Sequence, residues 1–231
     1  MQVMITGANR GIGLEFVRQL LERGDTVFAT ARQPDEASAL GHLADLYPDH
    51  LTIAALDVTD PSSIEEAYQE IGTQTERLDL LINNAGMLVR GERFGILEHD
   101  TLLNTLHTNA VGPMLVAQRF YDLLKHGAQP RLINMTSQLG SIARARGGGN
   151  YSYNASKAAL NMLTRMTALR IKDEGIITIM MHPGWVRTDM GGDSASLSVV
   201  ESVTAMLTVI DALTLEDAGR FLQWDGSELP W

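Results

Sequence analysis

A chain of 231 residues with 28 acidic and 18 basic side chains carries a formal net charge of −10. That balance argues against nucleic acid as a partner, because phosphate backbones need a basic footprint. The absence of cysteine removes disulfides, thiolate metal sites and cysteine nucleophiles, and fits a cytoplasmic setting. No segment reaches the roughly 18 uninterrupted apolar residues of a membrane span, and the opening MQVMITGANRGIG reads as strand and glycine turn, not as a signal peptide. The six histidines include no i, i+4 pair and no HExxH, so no metal site is expected.

The elements alternate from the first residue. Val3 to Thr6 reads as an apolar strand. Ile12 to Arg23 reads as a helix with Leu14, Val17, Leu20 and Leu21 on one face, stopped by Gly24. Strands follow at Thr26 to Ala31 and Leu51 to Leu56. Asp60 caps and Pro61 opens a helix running to about Gln74. A fourth strand, Asp79 to Asn83, precedes a long helix from Asp100 to His126 with a bend expected at Gly112-Pro113. Then come a strand at Arg131 to Met135, a second long helix at Tyr153 to Lys172, a strand at Ile176 to Met181, a helix at Ser196 to Leu213, and a short strand at Gly219 to Gln223. Strand–helix alternation predicts right-handed crossovers and one doubly wound α/β domain of Rossmann type spanning residues 1–231, a parallel sheet with helices on both faces. Its ligands bind beyond the C-terminal strand ends, so the loops Ala143 to Asn150 and Gly191 to Ala195 are candidates for the mouth of a site.

Between first strand and first helix stands Gly7-Ala8-Asn9-Arg10-Gly11-Ile12-Gly13. Glycines there allow a tight turn and let backbone N–H groups and a helix N-terminus approach a pyrophosphate. The spacing is GxxxGxG. Nineteen residues after Gly13, at the end of the second strand, Arg32 replaces the acid that would accept the ribose hydroxyls of NAD. An arginine there pairs with the 2′-phosphate of NADP, so NADP is expected in preference to NAD, with Arg10 as a second cation. Asp57 could accept from an adenine amino group while Val58 offers a backbone donor. Asn83-Asn84-Ala85-Gly86 ends the fourth strand with small residues that bring backbone close to a cofactor.

Reducing a carbonyl by hydride needs a held cofactor face, an acid for the oxygen and donors for its growing charge. Tyr153-Asn154-Ala155-Ser156-Lys157 puts tyrosine and lysine on one helix face. An ammonium beside a phenol lowers its pKa, so Lys157 is expected to bring Tyr153 down toward working pH. Tyr151 lacks a lysine four residues on.

The glycine loop, Asp57-Val58, Asn83-Asn84-Ala85-Gly86, Ser137, Tyr153-xxx-Lys157 and Pro183-Gly184, in this order over nearly the whole chain, resemble the short-chain dehydrogenase/reductase family in its single-domain branch. Met181-His182-Pro183-Gly184-Trp185-Val186-Arg187-Thr188-Asp189-Met190 and the tail Glu228-Leu229-Pro230-Trp231 resemble its C-factor-like and sniffer-type carbonyl reductases. The resemblance implies that Ser137 orients the substrate oxygen, that Tyr153 is acid in reduction and base in oxidation, and that Lys157 also holds the nicotinamide ribose. It implies that Asn109 keeps a water linking Lys157 to solvent, and that Pro183, Gly184, Val186 and Thr188 seat the carboxamide. A signalling protein that binds NAD(P) with little turnover is the alternative, and an epimerase or dehydratase is disfavoured because no length remains for a substrate domain.

Arg144 and Arg146 in the glycine-rich loop are expected to be solvated. The apolar positions of the two long helices, among them Leu103, Val111, Met162, Leu163 and Met166, spread over more than one stripe. A homodimer or homotetramer is therefore expected. The alternative is a monomer whose second face is covered by the Ser196 to Leu213 helix and the tail.

Overall fold

The computed structural model describes residues 1–231. Its centre is a sheet of seven parallel strands: β1 (Gln2–Ile5), β2 (Thr26–Ala31), β3 (Leu51–Ala55), β4 (Leu80–Asn83), β5 (Arg131–Met135), β6 (Ile177–His182) and β7 (Phe221–Gln223). They lie in the order β3-β2-β1-β4-β5-β6-β7. This is the doubly wound Rossmann-type arrangement expected for a single domain. The winding reverses between β1 and β4, which opens a crevice at their C-terminal ends.

Period-two alternation sends successive residues to opposite faces. Val3 and Ile5 of β1, with Val27, Ile82, Ile179 and Met181, pack beneath α1 (Gly11–Glu22), α2 (Ser38–Leu46) and α8 (Val199–Ala212). Met4, Phe28, Leu81 and Leu132 face the other layer, built from α3 (Pro61–Gly72), α4 (His99–Leu106), α5 (Gly112–Arg119), α6 (Tyr121–Lys125) and α7 (Tyr151–Ile171). Asp60 caps α3 as its position suggested, its carboxylate accepting from Ser62 N at 2.9 Å.

The helix expected from Asp100 to His126 is not continuous. Between α4 and α5 the chain makes a π turn at His107–Val111, and at Phe120 it leaves helical geometry before α6. Pro113 has no N–H, and its ring would crowd the carbonyl four residues back, on Asn109. The wider turn absorbs that conflict, so the irregularity lies one turn before the bend expected at Gly112-Pro113. Gly112 serves close packing instead, since a Cβ there would stand 2.6 Å from the carbonyl oxygen of Val58. Helix α2 follows a 3₁₀ turn at Pro34–Glu36 and was not expected; its short stripe of Leu40, Leu43 and Ala44 packs on the core, with Leu40 alone fully buried. The 3₁₀ turn also puts Asp35 outside β2, clear of Arg32. Helix α7 starts two residues earlier than expected, after Asn150 in the left-handed region (φ 47°).

Candidate active site

The glycine loop is fixed by contacts that leave no room for side chains. Gly7 and Gly11 have φ of +64° and +55°. A Cβ on Gly7 would lie 2.8 Å from Ala85 Cα, and one on Gly13 would lie 2.4 Å from Gly7 O and 2.6 Å from Asn84 Nδ2. Thr6, to which the sequence alone assigns no role, and the Asn84 side chain hold the loop to the end of β4. Thr6 Oγ1 accepts from Asn84 N and Ala85 N at 3.0 Å each. Asn84 Nδ2 donates to Thr6 O at 3.0 Å and Gly7 O at 2.9 Å. The available signal was an amide side chain directly after a strand facing a glycine turn. Asn83, one position earlier, turns inward: it is buried and donates to Pro113 O at 3.0 Å and Asn134 Oδ1 at 2.8 Å. Its side chain is therefore structural, and any approach to a ligand is through backbone.

Ser137 lies two residues past the end of β5, at the start of a 3₁₀ turn, and is buried; Tyr153 and Lys157 point from one face of α7 and are buried with it. Lys157 Nζ lies 5.7 Å from the Tyr153 ring centre and donates to Met135 O at 2.8 Å. Burial pushes the Tyr153 phenol above its ordinary range, while the Ser137 hydroxyl pulls it down. The net direction is upward, opposite to the lowering expected from Lys157, whose ammonium is turned to the Met135 carbonyl. Burial also lowers Lys157, to about 8.

Asn109 sits in the π turn, fully buried, and π turns recur at functional positions. Its Oδ1 accepts from Met87 N at 2.8 Å, and its Nδ2 donates to Met87 O at 2.8 Å and Ser156 Oγ at 3.0 Å. A Cβ on Gly86 would stand 3.2 Å from Asn109 Oδ1 and 3.7 Å from Lys157 Nζ. Gly86 thus keeps open the space that Asn109 and Lys157 share.

On the far side of the crevice, Gly184 (φ +85°) has no room for a side chain beside Leu197 and Trp224. Val186 pairs with Leu197. Thr188 Oγ1 accepts from Gly191 N at 3.0 Å, and its methyl lies 3.4 Å from where a Cβ on Gly11 would be. Pro183 O accepts from Ser202 Oγ at 2.6 Å. Of the four, Thr188 reaches the glycine loop, while Pro183, Gly184 and Val186 are held by Ser202, Trp224 and Leu197.

The charged groups divide. Arg32 is exposed at the end of β2 and makes no ion pair. Arg10 pairs with Asp189 Oδ2 at 2.7 Å, and both side chains are exposed. Asp57 is held by Thr59, whose N–H and hydroxyl donate to Oδ1 at 2.9 and 2.6 Å. Burial works to raise this carboxyl, but the Thr59 bonds and the charges of Arg32 and His107 lower it overall. Val58 is buried, and its N–H has no protein acceptor.

A dinucleotide fits this crevice. Helix α1 has no side-chain cap, so the N–H groups of Gly11, Ile12 and Gly13 remain for an anion. Asn9 is exposed in the same turn, Arg32 is exposed just past β2, and the gap at Gly86 leads to Lys157. No group of three or more histidine, aspartate or glutamate side chains stands ready for a metal ion, and no helix is long and apolar enough to cross a membrane.

Comparison with known proteins agrees with this geometry. An NADPH-bound carbonyl reductase from chicken fatty liver superposes with a TM-score of 0.95 at 40% identity, over all of this chain and 98% of that one. The carbonyl reductase Sniffer of D. melanogaster gives 0.96 at 34%, over 100% and 99%. C-signal of Myxococcus xanthus is 43% identical over 157 residues, 68% of this chain and 95% of that protein. The family model described as short chain dehydrogenase matches residues 1–197, and with the seven-stranded fold and the ordered motifs it shows that the chain belongs to the short-chain dehydrogenase/reductase family of oxidoreductases.

Proposed function

We propose that this protein is an NADPH-dependent carbonyl reductase acting in the cytoplasm on small ketones or aldehydes. The observation that carries the reading is the convergence of Ser137, Tyr153 and Lys157, all buried, at the end of β5 beside the gap held open by Gly86. The bound nicotinamide supplies the hydride. The rest is done by the chain. Ser137 donates to the carbonyl oxygen and fixes its place. Tyr153 gives that oxygen its proton; a phenol is protonated at neutral pH, the form an acid in reduction requires, and burial raises its pKa further. Lys157, charged below about pH 8, binds the ribose hydroxyls. Asn109 holds Met87 and Ser156 and so the floor through which a proton returns to Lys157.

Loss of NADPH absorbance across a panel of ketones and aldehydes tests the activity; no turnover on any of them sinks it. Titration with both cofactors tests the preference. Tighter NADPH binding is expected, and Arg32→Asp should move the preference toward NADH by repelling the 2′-phosphate. Equal affinities in the wild type would remove Arg32 from the reading.

The likeness to C-signal supports a second reading, a signalling protein that binds the cofactor with little turnover. A Tyr153→Phe chain separates the two: a signalling binder keeps its biological effect, and an enzyme loses it.

A further inference from the structure

Helix α7 delivers Tyr153 from its first turn, yet it has no cap of its own. Asn150 at the N-cap is left-handed, its side chain makes no capping bond, and no acidic residue occupies the first turn. The cap comes from 60 residues away. Glu92 accepts from Ser152 N with both carboxylate oxygens, at 3.0 and 3.2 Å. Ser152 is the second helical residue, whose N–H a local N-cap side chain would ordinarily satisfy, and a negative charge there complements the helix dipole. The segment carrying Glu92 is pinned elsewhere too. Met87 is clasped by the Asn109 amide through both its N–H and its C=O, and Arg90 donates to Met190 O at 2.7 Å across the mouth. A strap from the end of β4 thus ties the π turn, the loop after β6 and the start of α7 together.

We propose that Glu92 is a positioning residue: it serves as a remote N-cap that holds the first turn of α7, and with it the Tyr153 hydroxyl, in register with Ser137. The proposal rests on Tyr153 being the acid. Lys157 lies a full turn deeper, in a part of α7 that its own helical bonds support, so Glu92 bears on the proton donor and not on the cofactor's hold.

The test uses the full chain with Glu92→Ala and Glu92→Gln, the second keeping an acceptor oxygen. Amide hydrogen exchange at Ser152 and Tyr153 should quicken in Glu92→Ala and stay near wild type in Glu92→Gln, with the melting temperature showing that both are folded. Turnover of Glu92→Ala should fall roughly tenfold, the scale of a small misplacement of a reacting group, with NADPH affinity unchanged, and Glu92→Gln should restore it. Unchanged exchange in Glu92→Ala overturns the cap. Faster exchange with normal turnover, or weakened NADPH binding that accounts for the loss, overturns the positioning role. The exchange measurement needs no activity, so it separates failure of this idea from failure of Tyr153 as acid, which Tyr153→Phe reports.

Discussion

Tyr153 and Lys157 stand in a place that disfavours charge, and burial drives their pKa values in opposite directions, the phenol up and the ammonium down to about 8. Tyr153→Phe removes the proton donor and keeps the ring; turnover should fall by about 10²-fold or more with cofactor affinity held, and near-normal reduction would point to another acid. Lys157 is charged below about pH 8 and neutral above it, so NADPH affinity should weaken as pH rises from 7 to 9, and Lys157→Met should abolish that dependence. His182 offers a test of stability. It is buried at the end of β6 with Nδ1 unpartnered, and burial first, then Arg144, lower it to about 4, against a smaller opposing pull from Asp225. Its folded pKa lies below its unfolded one, so the unfolded chain binds the extra proton as pH falls from about 6.5 to 4. Stability should drop across that window by roughly 3 kcal/mol. Urea titrations at pH 7 and 4 measure it, and His182→Phe should flatten the difference; an unaltered slope would place the acid sensitivity elsewhere.

At the scale of elements, the alternation of strands and helices, the glycine turn and the face shared by Tyr153 and Lys157 were legible because period-two and period-3.6 patterns and glycine spacing are local properties. What was not legible came from distant partners. The carbonyl of Val58 decides that position 112 must be glycine, and the interior decides that Asn83 faces Asn134 while Asn84 faces the loop. The π turn at Asn109 is intermediate: Pro113 announced an irregularity, and its conflict with the carbonyl four residues back sets it one turn earlier than the proline itself. Two glycines of similar appearance show the contrast. Gly13→Ala meets Gly7 O and Asn84 Nδ2 and should cost about 1–3 kcal/mol along with most NADPH affinity. Gly41→Ala, in α2 with nothing within 4 Å of the new Cβ, should stabilise by roughly 0.5–1 kcal/mol. Denaturant midpoints and cofactor titration distinguish them, and equal effects would mean that the loop yields.

For the whole molecule, the question is what covers the outer face of α7. Met162, Met166 and Leu169 are each more than half exposed, and Leu163, Leu103 and Val111 lie exposed on the same layer. Helix α8 does not cover them, because Val203, Met206 and Ile210 pack with α1 on the opposite face of the sheet. The tail is occupied as well: Trp231 packs on Phe221, ring centres 5.9 Å apart. The monomer alternative, in which α8 and the tail shield this face, therefore loses its physical basis. We propose that a second copy of the chain covers it through α4 and α7, giving a two-fold homodimer. Such a dimer pairs again into a tetramer only if other surfaces bury comparable apolar area. Sedimentation equilibrium at micromolar concentration should find a species of twice 25.3 kDa. Met162→Glu combined with Met166→Glu should dissociate it, because two like charges would face their copies across the axis. A wild-type chain that sediments at 25.3 kDa at every concentration would show that these methionines face water, and that the layer is finished by one chain alone.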